Sequence, residues 1–389
     1  MVELVNKEQC VLCKACFNSC SMGAIRFDIL HQGGYYPSID SDICVGCGKC
    51  IRACPVGKTG EVMSLKKTFA IRTRDFQALE AASSGGVFFE LAKFVLAKGG
   101  FVCGAVFSDD FSVEHILSNN LDDIKNMRGS KYVESDIGTC YMQIKSLLDK
   151  GICFLFSGTP CQVAGLRSYL GRDYENLYLM DFICHGVPYE KVWLDYVHLK
   201  EIEVGAKVSS VTFRSKKLGW NPFSIEINFK SGAEYLCPAT KDPYNIGFLR
   251  NAYLKESCYS CSFKGLNVGS DFTVGDYWGA KQFLGEKVDN KGLSICICNT
   301  SKGVALINSL RDCIDIEEVD FRAATEKNPH LFYSAKRHLL KTDFFRLYNE
   351  KGAQSAFKAI KREAEKMALK NKLRSVIHRA LQVFKRRDQ

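Results

Sequence analysis

Nineteen of the 389 residues are cysteine, and eight of these stand in a rhythm that points to metal chemistry. Cys10, Cys13, Cys16 and Cys20 follow C-x2-C-x2-C-x3-C, and Cys44, Cys47, Cys50 and Cys54 repeat that spacing, ending in Pro55. Three closely spaced thiolates wrap one face of an iron–sulfur cubane, while the longer step throws the fourth sulfur onto a second cluster. The spacing therefore predicts one [4Fe-4S] site from Cys10, Cys13, Cys16 and Cys54, and another from Cys44, Cys47, Cys50 and Cys20. Zinc would use paired C-x2-C half-sites and leave the other cysteines without a role.

Four further cysteines are scattered along the chain. Cys161 stands alone in GTPCQ, Cys184 opens CHGVP, and Cys258 and Cys261 form the C-x2-C pair of CYSC. Cys161 and Cys184 each follow an apolar strand pattern, the place where ligands gather in an α/β sheet. Four thiolates could complete a third cubane, but zinc binding and plain burial account for them equally well. GTPCQ lacks the spaced glycines of a nucleophile elbow. Cys103, Cys140, Cys153, Cys237, Cys296, Cys298 and Cys313 lie in apolar stretches and read as buried thiols. Ser83-Ser84-Gly85-Gly86 sits where a helix begins, so its amides could approach a phosphate, although an ordinary N-cap has the same composition.

The elements that must position these residues fall into two kinds. Between the two cysteine motifs, AIRFDILHQGGYYPSID alternates apolar and polar residues around Gly33-Gly34, which predicts a hairpin. Residues 1–62 thus have the pattern of a bacterial two-cluster ferredoxin, with Ser21 where the first motif would carry proline. From about residue 70, amphipathic helices alternate with apolar strands: VFFELAKFVLAKGG, then FVCGAVF; DIGTCYMQIKSLLDKG, then ICFLFSG; TPCQVAGLRSYLG, then NLYLMDFICHG. That rhythm predicts an α/β body with a mixed, mostly parallel sheet, α+β when the ferredoxin part is included. VSSVTFRS and FSIEINFKSG add strands of an antiparallel portion. The body divides at 70–150 and 151–325, and 326–389 form a helical basic tail.

Composition narrows the setting. The start MVELVNKEQC has no apolar leader, no run approaches the roughly 18 apolar residues of a membrane span, and abundant thiols suit a reducing, cytoplasmic compartment. The net charge of +10 is uneven: residues 361–389 hold ten Lys/Arg against three Asp/Glu, leaving +3 for the remainder. A general nucleic-acid affinity is therefore not expected. In the tail, Leu369, Leu373, Val376, Ile377, Ala380, Leu381 and Phe384 share one helical face. Such a basic amphipathic helix suits peripheral contact with an anionic membrane, packing on the body, or docking to a partner.

The motifs SSGG (83–86), GSKYV (129–133), GTPCQ (158–162), CHGVP (184–188), FRSKKLGW (213–220) and CYSC…DFTVGDYWG (258–279) run in an order that resembles the coenzyme F420 hydrogenase/dehydrogenase beta-subunit family. GTPCQ and GDYWG are the most specific of them. The resemblance spans about 70–300 and, with the ferredoxin, about three quarters of the chain. It implies a flavoprotein that holds FAD beside a [4Fe-4S] cluster, with Cys161, Cys184, Cys258 and Cys261 as ligands. It also implies FAD contacts from Ser83, Ser84, Gly85 and Gly86, with Lys131, Gly158 and Thr159 beside them. The ferredoxin-first order is similar to bacterial members associated with polysaccharide biosynthesis.

The expected function is an FAD-dependent oxidoreductase passing electrons between a ferredoxin or reductase, three clusters, FAD and a substrate that the resemblance leaves open. Two alternatives stand beside it: a true deazaflavin oxidoreductase, and an electron-transfer subunit without its own substrate. His185 and Asp276 are the candidates for catalysis, and Trp278 for lining the site. Arg214 and Lys216-Lys217 could meet an anionic substrate or the FAD phosphates.

Overall fold

The computed structural model describes residues 3–30, 32–58, 67–285, 288–338 and 340–387, with side chains as far as 370 and at 374. Its strands are β1 (Ile25–Ile29), β2 (Tyr35–Ile39), β3 (Lys67–Thr73), β4 (Phe101–Phe107), β5 (Val113–Ser118), β6 (Phe154–Ser157), β7 (Leu177–Phe182), β8 (Val208–Ser215), β9 (Ser224–Phe229), β10 (Glu234–Pro238), β11 (Phe272–Asp276), β12 (Ser294–Cys298) and β13 (Ile314–Glu318).

β1 and β2 form the hairpin expected between the cysteine motifs, in register from Ile25↔Ile39 to Ile29↔Tyr35. Two short helices, Ala15–Ser19 and Lys49–Ala53, flank it. Each follows a residue in the left-handed region, Lys14 (φ 56°) and Gly48 (φ 69°), and two positions earlier stand Leu12 (φ 54°) and Gly46 (φ 69°). The two halves therefore share one backbone path, but the first half takes it without glycine. That path curls the loop so that the N–H groups of Leu12 and Ala15 point at the sulfurs of Cys10 and Cys13, which offsets a steric cost of about 1–2 kcal/mol per non-glycine residue.

The body is built on an eight-stranded sheet in the order β13-β3-β12-β11-β7-β6-β4-β5. Its parallel strands are four neighbours, β11, β7, β6 and β4; antiparallel pairing flanks them, through β12, β3 and β13 on one side and β5 on the other. Chain return through β12 and β3 makes the antiparallel share larger than the βαβ rhythm alone suggests. VSSVTFRS and FSIEINFKSG become β8 and β9 of a separate three-stranded antiparallel sheet, β10-β9-β8. That small sheet packs with Trp193, Tyr196, Tyr244 and Tyr253 in an aromatic-rich core.

The ferredoxin part is not an independent bead. Cys13, Ala15 and Ala53 belong to the same buried cluster as Tyr141, Phe156, Val163 and Leu166 of the body. Asn18 donates to the carbonyl of Gly138 at 2.9 Å and accepts from the Met142 amide at 3.2 Å, while Lys14 pairs with Asp136 at 2.5 Å.

The first part of the tail packs on the body, one of the three roles its sequence suits. A long helix, Leu340–Arg387, is interrupted at Gly352 (φ 78°), and its first part is core: Phe344, Phe345, Tyr348, Ala356, Phe357 and Ile360 are buried. Of the apolar face suited to a membrane, Leu369 is 62% exposed, and the side chains from Leu373 onward lie outside the described residues. Among the described residues, no helix is long and apolar enough to cross a membrane. Of the seven thiols read as buried, Cys103, Cys140, Cys296 and Cys298 are so, Cys153 and Cys237 are half-buried, and Cys313 is exposed. Cys313 falls in the turn just before β13, where an apolar flanking sequence does not imply cover.

Candidate redox site

The helix Pro160–Leu170 begins directly after β6, and its start places Cys161. Pro160 occupies the first helical position, the Thr159 amide donates to Gln162 Oε1 at 2.9 Å, and Gly171 closes the other end in the left-handed region. The positive helix start favours negative charge on the Cys161 sulfur or anything it binds. Cys184 follows β7 on the next parallel strand. Cys258 lies in the 3-10 turn Glu256–Ser260 and Cys261 caps it. These segments meet: Cys161, Cys184, Cys258 and Cys261 line one cavity. The Val187 amide donates to Cys258 Sγ at 3.5 Å, and Gly186 (φ 139°) lies where a Cβ would come 3.3 Å from the Cys258 Cβ.

A second cavity is lined by Cys10, Cys13, Cys16 and Cys54. Cys54 reaches it from the end of the second motif, as the longer step in the spacing requires. Cys20 and Cys44 lie close enough to Cys50 for their charges to act on it, and Cys47 of the same motif is exposed. Among the described residues, no three His, Cys, Asp or Glu side chains are placed to hold a single metal ion; the cysteines ring cavities instead.

Electrostatics set the demand on any occupant. Burial pushes the Cys16 and Cys184 thiols up to about 12, and Cys161 and Cys13 are raised as well. These sulfurs become thiolates only against a compensating cation. Iron would supply most of that charge, and Lys255 and Lys264, which line the Cys161 cavity, add to it.

The remaining motifs converge on the C-terminal edge of the parallel strands, but most of their polar groups are already in use. Ser83 Oγ accepts from the Ser130 amide at 2.7 Å, Ser84 Oγ donates to the Leu293 carbonyl at 2.9 Å, and the Gly85 amide donates to Ser294 Oγ at 2.8 Å. A Cβ on Gly85 would lie 2.1 Å from the Ile71 carbonyl, so this glycine serves a close approach to β3. Lys131 Nζ caps the helix Leu121–Met127, donating to the carbonyls of Asn126 and Arg128 at 3.1 Å, and burial brings its pKa down to about 7. Lys216 Nζ donates to the carbonyls of Leu79 and Ser84 at 2.5 and 2.9 Å. Lys217 pairs with Glu226 at 2.8 Å on the outer sheet. Gly158 approaches Phe156, where a Cβ would lie 2.9 Å from the ring.

The two catalytic candidates are committed as well. Asp276 takes a two-pronged bond from Arg214 at 2.7 and 3.1 Å and one from Trp220 Nε1 at 3.1 Å. Trp220 stacks on Trp278 at 5.1 Å. This group ties β8 to β11, two sheets together. His185 Nε2 sits 2.6 Å from Asn251 Oδ1, and burial holds the imidazole neutral, with its pKa lowered to about 4.

The sequence reading missed three residues: Gly165, Lys255 and Glu134. Gly165 carried the clearest signal, a glycine in mid-helix where alanine is favoured by about 1 kcal/mol. Here a Cβ would lie 2.8 Å from the Cys13 Cβ and 2.9 Å from its sulfur. The helix whose first turn carries Cys161 thus seats Cys13 one turn further on. Val11 lines both cysteine cavities, so the two sites abut.

Residues 153–323 match the C-terminal region of the coenzyme F420 hydrogenase/dehydrogenase beta subunit, and residues 9–58 match the 4Fe-4S dicluster domain. The chain is 23% identical over 210 residues to an F(420)H(2) dehydrogenase subunit of Methanosarcina mazei, a match covering 51% of this chain and 59% of the relative. It is 25% identical over 202 residues to the coenzyme F420-dependent sulfite reductase of Methanocaldococcus jannaschii, covering 50% of this chain and 30% of that enzyme. It therefore spans less than two thirds of either relative. A chain of the F420-reducing [NiFe] hydrogenase complex from Methanosarcina barkeri is similar at 15% identity and TM-score 0.44, over 75% of this chain and 90% of that one. Residues 153–323 thus carry the C-terminal domain of the coenzyme F420 hydrogenase/dehydrogenase beta subunit, behind a 4Fe-4S dicluster domain at residues 9–58.

Proposed function

We propose that this protein is an FAD-dependent iron–sulfur oxidoreductase of the cytoplasm. Electrons pass between a ferredoxin-type partner and a substrate by way of three [4Fe-4S] sites: Cys20/Cys44/Cys47/Cys50, then Cys10/Cys13/Cys16/Cys54, then Cys161/Cys184/Cys258/Cys261. The observation that supports this reading is that Val11 lines both cavities, with Gly165 of the Cys161 helix packed closely against Cys13. Cavities ringed by four cysteines suit a polynuclear group better than one ion, and N–H groups directed at sulfur stabilise its negative charge. Exposed Cys47, with Val45 66% and Ile51 48% exposed beside it, makes the first site the contact for a partner.

FAD would lie at the C-terminal edge of the central strands, beyond Gly158, Thr159 and Cys184, with the loops 83–86 and 129–133 as its wall. When bound, a flavin supplies the exchange between single electrons and hydride. The protein's share is to shape that edge; with both serine hydroxyls engaged, Ser83 and Ser84 act on FAD by holding loops in place. Anaerobically purified protein is expected to contain about twelve iron atoms per FAD, four for each cubane. Eight iron atoms would remove the third site, and stoichiometric zinc would overturn it.

One observation favours a second reading, an electron relay docked to a catalytic partner: both candidates for catalysis, His185 and Asp276, are bonded internally. The names of the relatives also keep deazaflavin chemistry open. Turnover of candidate acceptors by the isolated chain under reduced ferredoxin separates an enzyme from a relay, and reduction of the deazaflavin itself identifies the third possibility.

A further inference from the structure

Lys255 and Glu134 form an ion pair between the two abutting cysteine cavities, with 5% and 8% of their surfaces exposed. Lys255 Nζ also lies 3.5 Å from the carbonyl of Val11, the residue common to both cavities, and the lysine lines the Cys161 cavity itself. Glu134 lines neither, and its Oε2 is buried with no hydrogen-bond partner among the described residues. Two buried charges are costly to desolvate, and a hydrophobic pair of similar volume is often as stable. The pair therefore calls for a reason beyond stability.

We propose that Lys255 is a potential-setting residue whose single buried positive charge raises the reduction potentials of the Cys10/Cys13/Cys16/Cys54 and Cys161/Cys184/Cys258/Cys261 clusters together, with Glu134 holding it in place and limiting the rise. Reduction adds one electron to a cluster that is already net negative, and in a poorly solvated site a nearby fixed cation stabilises the added charge. The Glu134 carboxylate, paired directly with the ammonium, favours its charged form. Its positive end is the nearer to both sites, because the ammonium lies 3.5 Å from the carbonyl of Val11, which lines both cavities, whereas Glu134 lines neither. A cation shared in this way shifts both clusters in the same sense, so the hop between them stays close to level whatever the absolute potential. The cluster at Cys20/Cys44/Cys47/Cys50, on the exposed side of the ferredoxin, falls outside its reach.

The inference rests on the cluster reading of the two cavities, and the test keeps the two apart. Midpoint potentials of all clusters would be measured by EPR-monitored redox titration of the anaerobic holoprotein, with the third cluster identified by its loss in Cys161→Ser. Lys255→Met should move the midpoints of the Cys10/Cys13/Cys16/Cys54 and Cys161/Cys184/Cys258/Cys261 clusters to more negative values and leave that of Cys20/Cys44/Cys47/Cys50 unmoved. Glu134→Gln should move the same two to more positive values, and Lys255→Arg should restore them. Opposite signs from the two partners of one pair are not produced by a merely structural role. Twelve iron atoms with unmoved potentials in Lys255→Met overturn the inference alone, whereas eight iron atoms in the wild type overturn the cluster reading beneath it. If Lys255→Met fails to assemble, Glu134→Gln decides: no positive shift, or an equal shift in all three clusters, sinks the proposal.

Discussion

Cys161 is the residue on which the proposed third site turns, because it sits at a helix start on the central sheet and lines one cavity with three cysteines from other segments. Cys161→Ser is expected to remove about four iron atoms and to stop electron delivery to FAD while the ferredoxin pair remains reducible. Full iron and unchanged flavin reduction would make it a packing thiol. Gly165 offers a second test at this scale. Gly165→Val puts a branched side chain where Cys13 now lies within 2.9 Å of the built Cβ. The third site's own ligands are untouched, so the expected defect is loss of iron from the Cys13 site or slower passage of electrons beyond it. Rapid-mixing reduction by dithionite, followed at flavin wavelengths, reads that rate, and wild-type kinetics with full iron would show that the close seat is unnecessary.

Among the elements, the central strand β7 carries a buried carboxyl that the redox chemistry does not use. Asp181 Oδ2 accepts from Ser270 Oγ at 3.1 Å, while Oδ1 has no hydrogen-bond partner among the described residues. Burial pushes its pKa up to about 7. The unfolded chain loses this proton near pH 4, so between about pH 4 and 7 the native state binds a proton that the unfolded state does not. Its contribution to stability is full below that window and declines as pH rises, by a slope approaching about 1.4 kcal/mol per pH unit. Asp181→Asn should abolish the slope, matching wild type at pH 4.5 and exceeding it at pH 7 in anaerobic denaturant titrations. Parallel curves across that range would mean that the carboxyl is solvated.

At the scale of the whole molecule, the long C-terminal helix divides function between its two parts. Phe357 and Ile360 are 4% and 2% exposed in the body's core, and losing their burial costs about 1.5–3 kcal/mol each, a large share of a typical stability. Deleting residues 361–389 should leave iron, flavin and solubility unchanged, whereas ending the chain before Gly352 should yield insoluble protein. Sedimentation with anionic vesicles at low salt, lost on the shorter deletion, is what the membrane reading of the last segment requires. Unfolding after the shorter deletion would show instead that residues beyond Ile360 belong to the core.

What the sequence by itself determined is whatever depends on local spacing. The two C-x2-C-x2-C-x3-C runs carry their ligand partition within a few residues, since loop length limits where each sulfur can point. The hairpin, the alternation of helices and strands, and the capped helix after GTPCQ were legible for the same reason: periodicity and capping act over one or two turns. The meeting of Cys161, Cys184, Cys258 and Cys261 was not legible in that way, because nearly a hundred residues separate the first from the pair; only the order of motifs suggested it. Tertiary structure alone decided that Gly165 seats Cys13, that Lys255 lies between two cavities, and that Ser83, Lys131 and Asp276 are engaged within the protein. Those outcomes depend on which surfaces approach each other, and a side chain's charge or hydroxyl carries no local mark of the partner it will meet.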